Sequence, residues 1–318
     1  MVIPPRLVPR AGPHVWTGAT MLPSHWMLPV GGDAAGELLN VAASLDGARP
    51  ERRQDAPPLP RLGPVLREAA DRLENGAGFT LLRGLAADRF TPETARGALL
   101  TVAAHLGATA LPQDADGALV APPKRSTGQL LAEPADAVAM FCLRTLPEGE
   151  AVLLHSAASL HNELMRRNRT ALAALHAPLP HWHRNASAEP IMLPVFCNQG
   201  GAFVGRCDRA AMVDALLDPS QAAAVAALDA AAAEPGQALP IPLRAGDLLL
   251  LNPHLVWRRG PASPEREDGM AEAPRMLGVW LSARASRGLP ESFRPNFGET
   301  PAGRGRGGVP IGPGMVGG

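Results

Sequence analysis

The sequence lacks tyrosine altogether, and it has little of what would commit it to a common functional class. Its 318 residues include three cysteines, and 30 Lys and Arg residues balance 30 Asp and Glu residues. A formal net charge of zero gives no general attraction to nucleic acid or to an anionic membrane. Three cysteines without a CxxC spacing exclude a disulfide framework and favour a reducing compartment, so we expect a cytoplasmic protein.

Long apolar runs and the common catalytic signatures are missing as well. No run of about 18 apolar residues is present, and Pro4, Pro5 and Pro9 interrupt the segment that a signal peptide would need. The sequence has no GxSxG elbow or P-loop, which excludes the usual hydrolase and kinase motifs. We therefore expect neither a membrane nor a nucleic acid among the partners.

The apolar residues that are present predict a folded chain with one arm and one domain. Hydrophobic residues make up 46% of the sequence, enough for a large core. Residues 1–60 are rich in proline around one possible helix at 34–45, and we interpret them as an N-terminal arm. We expect residues 61–318 to form a single domain with helical insertions at about 159–175 and 209–233. Short strands without a βαβ rhythm favour a sandwich or jelly roll, mainly β with flanking helices.

Several element boundaries can be predicted from local signals. Apolar spacing predicts a helix over residues 62–74, followed by a buried strand at 79–82. Thr91 as a capping residue, with Pro92 in the first turn, predicts a helix that runs to about residue 106. Further short strands are predicted at residues 138–144, 151–155, 191–196, 248–252 and 276–282.

A series of segments, in order along the chain, resembles one family. These segments of the chain are GAGFTLLRGL at 76–85, DAVAMFCLR at 136–144, HNELMRRN at 161–168, LPVF at 193–196, GDLLLLNPH at 246–254, VWLS at 279–282 and RGG at 306–308. Their order and spacing resemble the TauD/TfdA-like, or clavaminate synthase-like, branch of the iron(II)/2-oxoglutarate dioxygenase superfamily. This resemblance implies a double-stranded β-helix, in which two antiparallel sheets face each other and helices pack outside.

The resemblance also assigns positions to the family's ligands. The family binds iron(II) with two histidines and one carboxylate. By position, the first histidine and the carboxylate correspond to Leu131 and Glu133, and the distal histidine corresponds to Arg258. The arginine that anchors 2-oxoglutarate corresponds to Gly278, and a hydroxyl residue that assists it corresponds to Val152. Because leucine has no ligand atom and arginine is cationic, the resemblance implies that the metal and cosubstrate ligands are lost.

We therefore expect no cofactor, since neither iron(II) nor 2-oxoglutarate should bind in the family manner. Glu133 and Arg258 occupy positions that meet at one ion in the family, so we expect an ion pair in its place. The alternative is an Arg258 that extends into solvent, as most arginines do.

The function expected from this pattern is a pseudoenzyme that binds a small molecule or supports a partner enzyme. Two alternatives stay open. One is a metal-free enzyme that uses Glu133 and Arg258 for proton transfer. The other is an oxidoreductase with a relocated metal site.

Histidine and cysteine residues outside these segments are predicted to have ordinary structural roles. His181 and His183 lie among prolines, which predicts a solvated pair in a surface loop instead of a metal site. Cys142 lies in an apolar strand and is predicted to be part of the core, because a reactive thiol needs partial exposure and a cationic neighbour.

Overall fold

A computed structural model describes residues 7–45, 56–112, 118–121, 128–148, 150–182, 189–259 and 275–306. The described chain mixes helices and strands. The helices are α1 (Pro23–Trp26), α2 (Gly32–Ser44), α3 (Gly63–Glu74), α4 (Pro92–His105), α5 (Ala157–Arg167), α6 (Arg169–His176), α7 (Pro219–Ala233) and α8 (Arg294–Phe297). The strands are β1 (Met27–Pro29), β2 (Phe79–Arg83), β3 (Ala108–Leu111), β4 (Val120–Ala121), β5 (Ala137–Cys142), β6 (Val152–Ser156), β7 (Leu179–His181), β8 (Ile191–Leu193), β9 (Phe196–Gln199), β10 (Ala202–Gly205), β11 (Leu239–Ile241), β12 (Leu248–Leu251), β13 (Val256–Arg259) and β14 (Met276–Ala283).

Two sheets organise the centre of the molecule. A seven-stranded sheet has the order β1-β2-β12-β5-β14-β3, with β4 also paired to β14. A three-stranded sheet has the order β11-β6-β13, and β7-β8 and β9-β10 form two hairpin-like pairs. Within both main sheets the pairing is antiparallel, except that β1 runs parallel to β2. None of the helices in the described ranges is both long and apolar enough to span a membrane.

Strand β5 shows how the sequence builds two cores. Its side chains alternate between the two faces of the seven-stranded sheet because successive residues of a strand point in opposite directions. Ala139 and Phe141 pack in a cluster with residues of α2, α3 and α4 on one face. Val138 and Met140 pack on the other face in a cluster that includes Leu154 of the three-stranded sheet. This second cluster therefore fills the space between the two sheets.

Most predicted elements are confirmed, with small shifts at their ends. The helix predicted from Thr91 begins at Pro92, and the Thr94 backbone N–H donates to Thr91 Oγ1 at 3.2 Å. The insertion predicted at 159–175 is two helices, α5 and α6, because the chain breaks at Asn168 and restarts there with a new cap. Only the second part of the insertion predicted at 209–233 is an α-helix, which begins at Pro219 and is capped by Asp218. In the first part, residues 209–211 and 214–216 form short 3-10 turns.

The proline-rich N-terminal residues contribute to both cores. Strand β1 extends the seven-stranded sheet by pairing with β2. Trp16 is buried, and its indole Nε1 donates to the Ala77 carbonyl at 2.8 Å, while Ser156 Oγ donates to the His14 carbonyl at 2.6 Å. The segment thus packs along the domain, and the boundary at residue 60 stays a prediction.

The Gly-Asp step before β12 ties this strand to β2. Asp247 is buried and accepts two hydrogen bonds from Arg83, Nε to Oδ1 at 2.8 Å and Nη2 to Oδ2 at 2.7 Å. This bidentate contact raises the pKa of Arg83. Gly246 adopts φ +89°, and a Cβ there would lie 1.8 Å from the Leu85 carbonyl oxygen.

We expect Gly246→Ala to lower the free energy of unfolding by at least about 2 kcal/mol, since both the left-handed backbone and the contact with Leu85 oppose a side chain. Urea unfolding measures the effect. The control is Gly36→Ala in α2, where a Cβ meets no atom within 4 Å. That change should stabilise the helix by about 0.5–1 kcal/mol. Equal effects of the two substitutions would contradict the tight approach at Gly246.

Candidate functional site

The positions assigned by the family resemblance begin with a short extended segment beside β13. Leu131 and Arg258 are direct antiparallel partners: Leu131 N donates to Arg258 O at 2.9 Å, and Arg258 N donates to Leu131 O at 3.0 Å. Directly opposed residues of an antiparallel pair place their side chains on the same face. Glu133, two residues further along, follows the same alternation. Residues 131, 133 and 258 therefore come together in space.

Glu133 and Arg258 form a buried ion pair at this point. Arg258 Nε donates to Glu133 Oε1 at 2.5 Å, and the two side chains are 5% and 4% exposed. The alternative in which Arg258 extends into solvent is therefore wrong. Burying either charge alone would cost several kcal/mol, so each residue is held in place by the other.

A double-mutant cycle on this pair has a definite expected result. Glu133→Gln and Arg258→Met should each lower the free energy of unfolding by about 3 kcal/mol, because each removes one charge of a buried ion pair. The double variant should lose less than the sum. The exposed pair Glu291 and Arg294 is the control, with side chains 69% and 49% exposed, and its substitutions should change stability by less than about 1 kcal/mol. Additive effects at Glu133 and Arg258 would contradict a direct pair.

The two positions assigned to the cosubstrate lie in different sheets. Gly278 is in β14, in register with Met140 of β5, and Val152 is in β6, in register with Ile241. Both are buried, and Val152 packs in the cluster between the sheets. Neither offers a group that could bind a carboxylate. Arg275 lies at the start of β14, where its Nη1 donates to the Thr145 carbonyl at 3.5 Å.

The structure reveals a second buried charge cluster that the sequence did not single out. The Arg306 guanidinium pairs with Asp136, both fully buried, and the Arg306 N–H donates to Ser282 Oγ at 2.6 Å. His254 Nε2 lies 3.7 Å from Asp136 Oδ1. Burial lowers the pKa of His254 to about 4, in spite of the opposing effect of Asp136, so the ring is neutral at pH 7. These contacts tie Arg306 to Ser282 of β14 and to Asp136.

A third polar group lies at the other edge of residues 130–133. Asp208 is in register with Leu131, and Ala132 N donates to the Cys207 carbonyl at 2.6 Å. Arg206 and Asp208 are 3% and 2% exposed.

His181 is only 1% exposed, so the prediction of a solvated histidine pair is wrong for His181, and His183 lies outside the described residues. The side chain of Cys142 is buried, as predicted.

The described residues do not fit iron(II) in the arrangement of two histidines and one carboxylate. Leu131 has no donor atom, Arg258 is cationic, and Glu133 is already bound to Arg258. Across the described ranges, no group of three or more His, Cys, Asp or Glu side chains could hold a metal ion. Iron in this chain would need donors other than Leu131 and Arg258.

Comparisons with known proteins place this geometry in context. No protein-family model matches the chain. FR-33289 synthase from Streptomyces rubellomurinus (strain ATCC 31215) is 22% identical, and the match covers 90% of this chain and 94% of that protein. The asparagine oxygenase structure in complex with Fe(II), 2S,3S-3-hydroxyasparagine and succinate superposes with a TM-score of 0.61 and 20% identity, covering 81% of this chain and 93% of that chain. The non-heme iron oxygenase OrfP in complex with Fe gives a TM-score of 0.58 and 18% identity, covering 84% and 97% of the two chains.

These comparisons correct one expectation. We expected no cofactor, but the similar structures contain iron, and an OrfP structure with a TM-score of 0.59 also contains α-ketoglutaric acid. The fold is therefore one that holds both groups in its solved members, and the expectation of no cofactor is wrong. It rested on the substituted positions Leu131, Arg258, Gly278 and Val152, and the loss of ligands at those positions does not decide whether a metal binds elsewhere. The chain shares the fold of the non-heme iron oxygenases, and at this level its resemblance to the TauD/TfdA-like superfamily is confirmed.

Proposed function

We propose that the protein is a small-molecule-binding relative of the non-heme iron oxygenases, a pseudoenzyme with respect to the reaction that a triad at residues 131, 133 and 258 would perform. The observation that carries this proposal is the buried ion pair of Glu133 and Arg258, with Nε and Oε1 2.5 Å apart. Whether the protein also binds iron through other residues is decided by the iron content of the purified protein.

The strand pairings support a double-stranded β-helix as the scaffold of this site. In the seven-stranded sheet, β12, β5 and β14 are consecutive neighbours, although they are far apart along the chain. In the other sheet, β6 lies between β11 and β13, and Leu131 adds a further pairing beyond β13. From β11 to β14 consecutive strands alternate between the two main sheets, as strands do in a jelly roll. We place the ligand between the sheets, beside Glu133 and Arg258.

The ligands named in the neighbours support a small polar molecule. The asparagine oxygenase structure holds 3-hydroxyasparagine, and one OrfP structure holds (3S)-hydroxy-L-Arg. In this chain Arg258 and Glu133 provide a cation and an anion at the positions that the resemblance assigns to the metal ligands. A cation and an anion there suit a ligand with hydrogen-bonding groups.

A second candidate is an oxidoreductase whose iron is held by other donors. The iron in the solved neighbours favours it. In that case Glu133 and Arg258 would position the substrate, and the metal ligands would lie elsewhere in the chain.

One set of measurements separates these possibilities. Protein purified without chelator is analysed for iron, reconstituted anaerobically with Fe(II), and assayed for succinate formation and oxygen uptake with 2-oxoglutarate. The same assays are run on Glu133→Gln. Binding of a small molecule without 2-oxoglutarate turnover supports the pseudoenzyme. Turnover with iron content unchanged in Glu133→Gln supports the relocated site. Turnover together with loss of iron in Glu133→Gln would make Glu133 a metal ligand and overturn both proposals.

A further inference from the structure

Arg206 is a buried arginine that forms no ion pair with a carboxylate of the described residues. Its side chain is 3% exposed, and its Nε and Nη1 atoms have no hydrogen-bond partner among the described residues. Other buried arginines of this chain are paired with carboxylates, as Arg258 is with Glu133, Arg306 with Asp136 and Arg287 with Glu74. Burial lowers the pKa of Arg206. An unpaired buried guanidinium is costly, and native proteins seldom keep one without a use.

Two residues in the same part of the fold, Asp208 and His181, have buried acceptor atoms without a hydrogen-bond partner among the described residues. Asp208 Oδ1 is buried with no hydrogen-bond partner among the described residues, and no ion pair joins it to Arg206. His181 Nε2 is also buried without a partner there, while its Nδ1 lies 2.9 Å from the Leu179 carbonyl oxygen. Because a carbonyl can only accept, Nδ1 carries the proton and Nε2 is an acceptor. His181 is in register with Met212, four residues after Asp208, and Arg206 contributes, after burial, to the lowered pKa of His181.

The position of this cluster relates it to the proposed ligand site. Asp208 is in register with Leu131, which is in register with Arg258. Continued by two residues, this antiparallel register brings the backbone of Arg206 opposite Glu133. The Phe297 ring, with its centroid 6.0 Å from the Arg206 guanidinium carbon, packs against the charged group. The cluster therefore lies at the edge of the same segment that carries Glu133.

We propose that Arg206 anchors the carboxylate of a small organic ligand, and that Asp208 and His181 accept hydrogen bonds from a donor group on the same molecule. This inference rests on the proposed function and names its ligand class. The planar fork of an arginine matches a carboxylate. One guanidinium beside the negative Asp208 disfavours a doubly charged phosphate. An adjacent hydroxyl or ammonium group would satisfy the two acceptors that the protein leaves open.

The test compares matched probes on the full chain by thermal unfolding. L-lactate carries the carboxylate and the donor, propionate lacks the donor, methyl L-lactate lacks the charge, and inorganic phosphate is a different anion. The variants are Arg206→Met, Arg206→Lys and, as a control on an exposed face, Arg166→Met, whose side chain is 65% exposed in the wild type. All solutions are held at equal ionic strength.

L-lactate should raise the unfolding temperature of the wild type and of Arg166→Met, more than propionate does, and methyl L-lactate should not. Arg206→Met should lose roughly tenfold to a hundredfold in affinity for L-lactate, the effect of one charge-assisted hydrogen bond, and Arg206→Lys should lose less. Without ligand, Arg206→Met should unfold at the same or a higher temperature, because an unpaired buried charge is gone.

Three results would overturn this inference: no response of the wild type to the carboxylate probes, an unchanged response in Arg206→Met, or a larger response to phosphate. A strong loss of stability in unliganded Arg206→Met and Arg206→Lys alike would assign Arg206 a structural role and overturn it too. Each of these outcomes leaves the proposed function standing, since that is judged by iron content and turnover in Glu133→Gln.

Discussion

The double variant Leu131→His, Arg258→His is expected to bind Co(II) on the order of 100-fold more tightly than the wild-type protein. Leu131 and Arg258 are direct cross-strand partners on one face, and Glu133 lies two residues away on the same strand segment. Two imidazoles and one carboxylate would then converge on one point. That is the facial arrangement that divalent iron and cobalt prefer. The ion pair that occupies this point is removed by the same substitutions.

Visible absorption of Co(II) measures this gain, and competition with Fe(II) under anaerobic conditions extends it to iron. The single variants Leu131→His and Arg258→His are the controls, because each supplies only one of the two imidazoles. Glu133→Gln introduced into the double variant should remove most of the gain. If the double variant binds Co(II) no better than the wild type, residues 131, 133 and 258 do not converge in the way the strand register indicates. Metal already bound elsewhere in the wild type would not mask the result, because the new site has its own spectrum.

The sequence was informative about the scaffold because the scaffold depends on local patterns. The apolar runs that became β5, β12 and β14 are confirmed within a few residues, as is the capped start of α4 at Thr91 and Pro92. The alternation of side chains along β5 is enough to place Phe141 and Met140 on opposite faces of the sheet. The resemblance to a family added the long-range order of these strands, which short segments cannot provide.

Only those site residues could be predicted that correspond to positions known to meet in the family's fold. Glu133 and Arg258 are 125 residues apart in the chain, and their 2.5 Å contact could be expected only from the family's shared metal position. Arg206 carries no such signal, because an isolated arginine in a sequence is usually exposed. Its burial depends on the register between residues 130–133 and 206–209, which no local pattern encodes. The burial of His181 was missed for the same reason, since the flanking prolines favoured a surface loop.

The error about cofactors has a related physical origin. The substitution of two ligands, at Leu131 and Arg258, establishes that a particular triad is missing, and the structure gives residues 131, 133 and 258 no donor set for iron. They carry no information about donors from other parts of the chain. The solved neighbours contain iron, and so the cofactor question depends on a measured metal content and not on the ligand count at residues 131, 133 and 258.

Acidification from pH 7 to pH 5 is expected to lower the free energy of unfolding by about 9 kcal/mol. Burial is the largest cause that lowers the pKa of five histidines, each to about 4: His155, His161, His176, His181 and His254. In the unfolded chain these groups titrate near 6.5. Between these two values the unfolded state binds more protons than the folded state, so stability falls as the pH falls. Above about pH 7.5, roughly one unit beyond the unfolded pKa, all five are essentially neutral in both states, and their contribution is constant.

Urea unfolding at intervals between pH 7.5 and pH 5 measures this slope, which reports the protons taken up on unfolding. His181→Asn should reduce the slope by close to one proton, since it removes one buried imidazole. The control is His25→Asn, because His25 is exposed on α1 and its substitution should leave the slope unchanged. A free energy of unfolding that stays constant down to pH 5 would mean that the five rings gain protons as readily in the folded protein as in the unfolded chain. Their burial would then have to be relieved by solvent or by a partner group before the protein unfolds.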